Sequence, residues 1–218
     1  GLDGVRKKRG GNAVGVLASP SYTLEEYFLA AQIAHGLGSD NIDHRLKQQD
    51  FSGQDSEDIQ PGIGMPLTEV DRLQGMLVIG SDLRSEVPIL AHRVRRAAVK
   101  GGAQVALLNP RKFEYLFPHQ QVVVDGVEVV SLLRGVISAC AGQLGQPVPA
   151  AAAGADVNEE ARILARALLA GERRAVWLGQ IAQRHSRYAG IARLGRILCA
   201  LTGASFGLVT EGANAAGA

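Results

Sequence analysis

Short polar turns follow two apolar segments of the chain and carry residue types that suit ligand binding. Gly80-Ser81-Asp82 comes directly after the apolar run 73–79, and Asn109-Pro110-Arg111 comes directly after the run 103–108. Ser81 offers a hydroxyl and backbone N–H groups, Asp82 offers an acceptor for a ribose or purine amine, and Arg111 offers a bidentate donor for phosphate. These two turns are therefore our candidate ligand sites. The simpler interpretation is that Gly80 lets the chain turn, Ser81 or Asp82 caps a helix, and Asn109-Pro110 ends a strand.

Other polar motifs of the chain give weaker indications of chemistry. Gly62-Ile63-Gly64 is followed by Met65-Pro66 instead of a helix, and the sequence contains neither a Walker loop nor a nucleophile-elbow serine. The five histidines are scattered and do not form a metal-binding motif, which argues against a metal centre. Asp43-His44-Arg45 is either a general base or a loop anchored by ion pairs, and Gln180 and Arg184-His185 leave the same two alternatives open.

The elements that must position the two candidate turns form a βαβ unit. Residues 76–111 have the pattern of a strand, a glycine turn, an amphipathic helix over 86–100, a glycine stop at Gly101-Gly102 and a second strand. A second strand–glycine–helix–glycine–strand pattern covers 175–209. Such units place their first turns at the carboxyl edge of a parallel sheet, where α/β proteins hold ligands. We therefore predict an α/β fold: a parallel, Rossmann-like sheet with helices on both faces. The crevice would lie between the first turns of the two units, which follow the strands that end at Ile79 and Leu178.

The rest of the chain supplies further elements of this fold. We predict a strand over 12–18 and a helix from Leu24 with a Thr23–Glu26 capping box, whose inner face carries Leu24, Tyr27, Phe28, Ala31 and Ala34. A long polar loop follows over 39–64, then a strand over 121–124 and helices over 127–142, 158–170 and 187–201. The alanine-rich segment 145–155 is interpreted as a linker. It divides a first lobe, 1–144, from a second unit, 156–218, that completes the same sheet.

Composition excludes several classes of function. A net charge of +2 and 5% aromatic residues argue against a nucleic-acid partner. The two cysteines, Cys140 and Cys199, are far apart, so this chain alone builds no zinc or iron–sulfur site, and we expect free thiols in a reducing compartment. We find no secretory signal and no apolar run of transmembrane length, so we expect a soluble segment without direct membrane insertion. The chain starts without methionine, and we expect it to be a piece of a longer polypeptide.

Several of these segments together resemble the molybdopterin oxidoreductase superfamily. They are Ser19-Pro20-Ser21 with the Thr23–Glu26 helix start, residues 37–45 (LGSDNIDHR), residues 78–82 (VIGSD) and residues 107–111 (LLNPR). Within the superfamily the chain most resembles the G subunit of the bacterial NADH-quinone oxidoreductase, respiratory complex I. That resemblance rests on Asp43-His44-Arg45, on residues 86–90 (EVPIL) with Arg93, and on the closing residues 211–218 (EGANAAGA).

The chain departs from the catalytic members of the superfamily at two places. Formate dehydrogenases and nitrate reductases carry a cysteine, selenocysteine or serine ligand to molybdenum after the region that resembles 41–44, whereas residues 46–58 (LKQQDFSGQDSED) contain no cysteine. Ser52 and Ser56 are conceivable oxygen ligands, but neither lies in a recognisable metal-site context. Asn109 also replaces the aspartate that usually precedes Pro-Arg. Both departures fit the complex I branch.

The resemblance implies a non-catalytic scaffold domain of an iron–sulfur subunit, with no cofactor in this chain. Gly80, Ser81, Asp82, Asn109 and Arg111 would then line a vestigial crevice. The parent subunit would carry [4Fe-4S] and [2Fe-2S] clusters that pass electrons from NADH and FMN to quinone, coupled to proton translocation. Its partners would be other peripheral-arm subunits on the cytoplasmic side of the bacterial inner membrane. The rival interpretations are a molybdopterin guanine dinucleotide-binding domain of a formate-dehydrogenase-like enzyme and a thiamine-enzyme-like or nucleotide-binding module.

Overall fold

The computed structural model describes residues 1–45, 47, 49–53, 62–212 and 214 and divides the chain into two compact units. The smaller unit comprises residues 1–48 with 210–218, and the larger unit comprises 49–209. This division differs from the one predicted, because the boundary falls within the long polar loop and the segment 145–155 lies inside the larger unit. Part of that loop, 54–61, and most of the closing segment 211–218 lie outside the described residues.

The smaller unit contains two helices and a pair of very short strands. They are α1 (Leu2–Arg9), β1 (Val16–Leu17), α2 (Leu24–Gly36) and β2 (Ile42–Asp43), with β1 and β2 paired in parallel. The predicted capping box is confirmed: Thr23 Oγ1 accepts from the Glu26 amide at 3.2 Å, and the Glu26 carboxylate accepts from the Thr23 amide at 2.8 Å. These bonds satisfy amides that a helix start otherwise leaves without partners, so α2 begins where the sequence predicts.

The predicted inner face of α2 is right for Ala34, which is buried, and for Tyr27 and Ala31, which are half-buried, but wrong for Leu24 and Phe28. Only Ala34 is buried on this helix, whereas Leu24 and Phe28 are 65% and 63% exposed. The physical reason is the size of β1 and β2. Two strands of two residues each offer too little surface to cover a helix of 13 residues.

The larger unit is built on one parallel sheet. In chain order it contains β3 (Gly75–Ile79), α3 (Leu83–Glu86), α4 (Pro88–Gly101), β4 (Gln104–Asn109), β5 (Gln120–Val123), α5 (Val129–Leu144), α6 (Glu159–Leu168), β6 (Arg174–Leu178), α7 (Gln180–Gln183), α8 (Tyr188–Thr202) and β7 (Ser205–Leu208). The strand order is β5-β4-β3-β6-β7, and every neighbouring pair is parallel. The predicted strands of this unit start and end within two residues of those observed.

Helices cover both faces of this sheet, so the predicted fold class is confirmed. One face packs against α5, α6 and α8, through strand residues that include Leu77, Leu108 and Leu178. The other face packs against α4, through strand residues that include Met76, Leu107 and Trp177. Successive strand residues point to opposite faces, which explains why both sets are apolar and why the strands have unbroken apolar sequences.

The helix predicted over 86–100 is divided into α3 and α4. Val87 between them has a φ of −144°, because the ring of Pro88 disfavours helical geometry in the residue before it. Pro88 itself begins α4, where its missing N–H costs nothing. On α4, Leu90, Val94, Ala97 and Ala98 are buried, while Val87 and Ala91 are half-buried against the same core. The break leaves Glu86 at the end of a short turn that follows β3.

The segment 145–155, predicted as a linker, packs against α5. Ala152 is fully buried in the core of the larger unit. The Arg134 guanidinium donates to the carbonyl oxygens of Ala151 and Ala153 at 2.9 and 3.0 Å, and the Ser138 hydroxyl donates to that of Ala152 at 3.3 Å. The alanine-rich composition therefore reflects close packing against a helix.

From the sequence we predicted no apolar run long enough to span a membrane. Judged by length and composition alone, this prediction is wrong. Among the described residues, one segment, Gly126–Leu144, is long and apolar enough to cross a membrane. It contains α5, nine of whose residues are buried, and it packs against α6 and α8. A core helix meets the same criteria of length and composition, and α5 has the contacts of a core helix.

The two cysteines give a test of this core. Cys140 on α5 is fully buried and Cys199 on α8 is 8% exposed, and burial raises the thiol pKa of each from 9.0 to about 12. We expect neither thiol to react with a disulfide reagent at pH 8 in the folded chain, because the thiolate is the nucleophile. Both should react in denaturant. Rapid labelling of either cysteine in the folded protein would contradict this packing.

The same shifts predict how stability depends on pH. The folded state keeps both thiols protonated up to about pH 12, whereas unfolded thiols ionise near 9.0. The unfolded state therefore gains from ionisation first, and the free energy of unfolding falls as pH rises from about 9 towards 12. Replacing both cysteines with alanine should reduce this slope in denaturant titrations. An unchanged slope would show that other groups cause it.

Candidate functional site

The turns after β3 and β6 meet at the carboxyl edge of the sheet. These strands are neighbours, with Ile79 in register with Leu178, and the chain leaves them towards opposite ends of the strand order. The Gly179 amide donates to the Ile79 carbonyl at 2.8 Å, and the amides of Ile181 and Ala182 donate to the Gly80 carbonyl at 3.0 and 3.1 Å. This edge is the topological switch point of the sheet, where open α/β proteins place their ligands.

Two glycines allow the turns to touch. Gly80 has a φ of +62°, and a Cβ there would lie 2.5 Å from the amide nitrogen of Ala182. A Cβ on Gly179 would lie 2.2 Å from the Cβ of Ser81. The space in front of both glycines is thus filled by the facing turn, so these glycines serve the contact between the turns.

The Glu86 carboxylate accepts three hydrogen bonds from the two turns. The Ser81 hydroxyl donates to it at 2.7 Å, the Asp82 amide at 3.0 Å and the Gln180 amide at 3.1 Å. The short α3 brings Glu86 back to the turn, with the Glu86 amide donating to the Asp82 carbonyl at 2.9 Å. A half-buried carboxylate of this chain therefore uses the donors that a bound anion would use.

Asn109, the last residue of β4, holds the turn after β3. It is fully buried, and its Oδ1 accepts from the Ser81 amide at 2.8 Å. Its Nδ2 is also buried and has no hydrogen-bond partner among the described residues. A buried donor without a partner is costly, so this amide group is the part of the crevice that most needs explanation.

Tyr115 covers the first turn from the loop after β4. Its hydroxyl donates to the Ser81 carbonyl at 3.1 Å, and its ring packs against Phe117 and His119. Burial, with the nearby Asp82 and Glu86 carboxylates, raises the pKa of Tyr115 well above its ordinary value. Tyr115 therefore stays a hydrogen-bond donor at neutral pH.

The structure brings together four of the five predicted crevice residues. Gly80, Ser81 and Asn109 meet as described, and the Asp82 carboxylate accepts from the Ser85 hydroxyl at 2.7 Å. Arg111 is different: it is exposed, its guanidinium lies 4.8 Å from the Phe113 ring centroid, and it makes no hydrogen bond or ion pair within the described part of the chain.

Sequence reasoning missed Glu86 and Tyr115 as site residues. The signal for Glu86 was a carboxylate five residues after Ser81 and just before Val87-Pro88, where a helix cannot continue smoothly. Tyr115 gave no comparable signal, because its contact with Ser81 depends on the path of an irregular loop.

The other polar motifs have structural roles in their own units. The Asp43 carboxylate accepts from the Arg45 guanidinium at 2.9 Å, and this bond, with the amides of Arg45 and His44, lowers the Asp43 pKa to about 2. Such a carboxylate is a weak base, which favours the ion-paired loop. In the larger unit, His185 Nδ1 accepts from the Arg187 amide and His185 Nε2 lies 2.9 Å from the Gly126 carbonyl.

Two further sequence candidates are occupied by structural contacts. The Ile63 carbonyl accepts from the Trp177 indole at 3.1 Å, and the Gly62 carbonyl accepts from the Leu208 amide at 2.7 Å. The segment Gly62-Ile63-Gly64 is therefore hydrogen-bonded to β6 and β7. The Ser52 hydroxyl donates to the Asp50 carboxylate at 2.6 Å, and Ser56 lies outside the described residues. Within the described ranges, no three His, Cys, Asp or Glu side chains group as metal ligands would.

Comparison with known proteins identifies the family. The family model described as "Molybdopterin oxidoreductase" matches residues 2–207. The chain belongs to the molybdopterin oxidoreductase family. No curated protein sequence matches it significantly.

Among solved structures, the chain is similar to one from the formyltransferase/hydrolase complex (FhcABCD) of Methylorubrum extorquens in complex with methylofuran. The TM-score is 0.54 at 14% identity, and the match covers 95% of this chain and 56% of that chain. The chain thus spans little more than half the length of this structural relative. At this identity the likeness supports the fold alone.

The family implies a molybdopterin cofactor, and the crevice does not fit its phosphate groups as it stands. The amides of Asp82 and Gln180 and the Ser81 hydroxyl are used by Glu86, and the Ser81 amide is used by Asn109. Space beside Gly80 and Gly179 is filled by the facing turn. Among the buried side-chain donors described at this edge, Asn109 Nδ2 is left without a partner.

The contact between the turns predicts a large effect of one methyl group. Gly179→Ala should lower the free energy of unfolding by about 1–3 kcal/mol, because the added Cβ overpacks against Ser81. Gly190→Ala is the matched control, since a Cβ there meets nothing within 4 Å on α8, and better helix propensity should make it neutral or stabilising by up to about 1 kcal/mol. Denaturant titration measures both. Equal effects would contradict the proposed contact.

Proposed function

We propose that this chain is a non-catalytic scaffold domain of the iron–sulfur G subunit of NADH-quinone oxidoreductase. The observation that carries the proposal is the Glu86 carboxylate, which uses the donors of both switch-point turns. A domain in this state keeps the fold of the molybdopterin oxidoreductase family while its own side chains fill the binding edge. The sequence resemblance supplies the identity of the parent subunit.

The sequence departures support the same proposal. The part of 46–58 that the catalytic relatives use for a metal ligand contains no cysteine, and Ser52 is engaged by Asp50. Asn109 stands where those relatives carry aspartate, and it holds the Ser81 amide. The first departure removes a metal ligand, and the second adds a contact between the end of β4 and the turn after β3.

In this proposal the domain takes part in the reaction only as a support. The parent subunit carries [4Fe-4S] and [2Fe-2S] clusters that pass electrons from NADH and FMN towards quinone, and the complex couples this transfer to proton translocation. The assembly lies on the cytoplasmic side of the bacterial inner membrane, and this domain contacts other peripheral-arm subunits without entering the membrane.

The outer face of α4 is the surface that we assign to those contacts. His92, Arg96 and Lys100 are exposed along it, and α4 has no acidic residue. Arg93, also on α4, is half-buried and donates to Asp71 at 2.7 Å, so it fixes α4 to the turn before β3. The Arg96 guanidinium also lies 3.3 Å from the Asp71 carboxylate, so Lys100, with the exposed part of Arg96, is what favours an acidic surface on the neighbouring subunit.

A second function is favoured by one observation. The unpartnered Nδ2 of Asn109 is a buried donor at the binding edge, as expected of a domain that holds a ligand there. The alternative is therefore a molybdopterin guanine dinucleotide-binding domain of a formate-dehydrogenase-like oxidoreductase, in which Glu86 would have to leave its present position.

Metal and pterin analysis of the full-length parent, purified from its own cell, separates the two functions. The scaffold role predicts iron and labile sulfide without molybdenum, tungsten or oxidised-pterin fluorescence, and co-purification with an FMN-containing NADH-oxidising subunit. Stoichiometric molybdenum or tungsten with pterin would overturn it in favour of the alternative.

A further inference from the structure

Three donors from two distant parts of the chain converge on one carboxylate at the switch point. The Asp82 amide and the Ser81 hydroxyl come from the turn after β3, and the Gln180 amide comes from the turn after β6. Donors from two strands converge in this way on a bound oxyanion in many α/β proteins. Here the oxyanion is the side chain of Glu86.

We propose that Glu86 is an internal anion ligand that closes the switch point to external oxyanions. The inference rests on the proposed function only in that both take the crevice to be closed. It adds that the site underneath remains competent: the turns keep the backbone of an anion site, and the carboxylate of Glu86 is what excludes phosphate-bearing ligands from it. Loss of the glycine turns is not the cause, since Gly80 and Gly179 are present and in contact.

The buried Asn109 amide group is an independent indication that the edge suits an anion. Its Oδ1 is fixed by the Ser81 amide at 2.8 Å, and its Nδ2 is a donor without a partner among the described residues. The Asp82 carboxylate, which would repel an anion, is held by the Ser85 hydroxyl at 2.7 Å. The donors Ser81, Asp82, Gln180 and Asn109 therefore make a polar edge whose present occupant is Glu86.

The position of Glu86 on α3 makes this closure a competition. Because α3 has four residues and ends at Val87-Pro88, the carboxylate can withdraw without unwinding α4. The apparent affinity for an external anion is its intrinsic affinity reduced by the fraction of molecules in which Glu86 has withdrawn. Removing the carboxylate should remove that reduction.

Calorimetric titration of the full chain with pyrophosphate tests this inference. We expect Glu86→Ala to bind one pyrophosphate per chain, at least about tenfold more tightly than the unsubstituted chain. Glu86→Gln keeps the size of the side chain and should also bind, because the amide no longer repels an anion. Glu114→Ala removes an exposed carboxylate from the loop after β4 and should behave as the unsubstituted chain does.

Each other outcome contradicts the inference. Equal binding by the unsubstituted chain and Glu86→Ala would show that Glu86 excludes nothing. Absence of binding by folded Glu86→Ala and Glu86→Gln would show that the turns no longer form an anion site, while leaving the scaffold role intact if the parent contains no pterin. Failure of both variants to fold would show that the carboxylate is required by the turns themselves.

Discussion

The parallel pairing of β3 with β6 is the constraint on which the rest of the larger unit depends. It places two strand-end turns side by side, and only glycine at positions 80 and 179 lets their backbones touch. The same contact brings the amides of Ser81, Asp82 and Gln180 together at the edge of the sheet, where each of them needs an acceptor. Asn109 and Glu86 supply those acceptors. The sheet brings these amides together, and the positions of Asn109 and Glu86 follow from the hydrogen bonds that the amides require.

This origin explains how one fold can serve both catalytic and structural members of a family. An external anion and an internal carboxylate satisfy the same amides, so exchanging one for the other changes the function while the sheet stays the same. In this chain the internal carboxylate, Glu86, also joins the turn after β3 to the turn after β6. It does so by accepting from the amide of Gln180, 94 residues further along the chain. Such a tie holds the edge of the sheet fixed without a ligand, as the scaffold role that we propose requires.

Strands and helices of the larger unit could be predicted from the sequence because each is specified locally. Mainly apolar runs define β3, β4 and β6, with glycine following β3 and β6 and Asn109-Pro110 ending β4. In the smaller unit, Thr23 with Glu26 defines the start of α2 in the same local way. Non-local features could not be predicted. The role of Glu86 depends on Gln180, which comes near only when the sheet forms. The inner face of α2 was predicted from periodicity, but periodicity does not show whether enough neighbouring chain exists to cover it.

Amide hydrogen–deuterium exchange of the unsubstituted chain, read at Asp82 and Gln180, shows whether Glu86 holds these two amides. If Glu86 holds both amides, they exchange slowly, at rates set by opening of the β3–β6 edge. We expect protection comparable to that of the Gly179 amide, which donates to the Ile79 carbonyl at the edge of the sheet. Exchange of the Asp82 and Gln180 amides as fast as that of exposed loop amides would contradict it, since the crevice would then be open and its donors available.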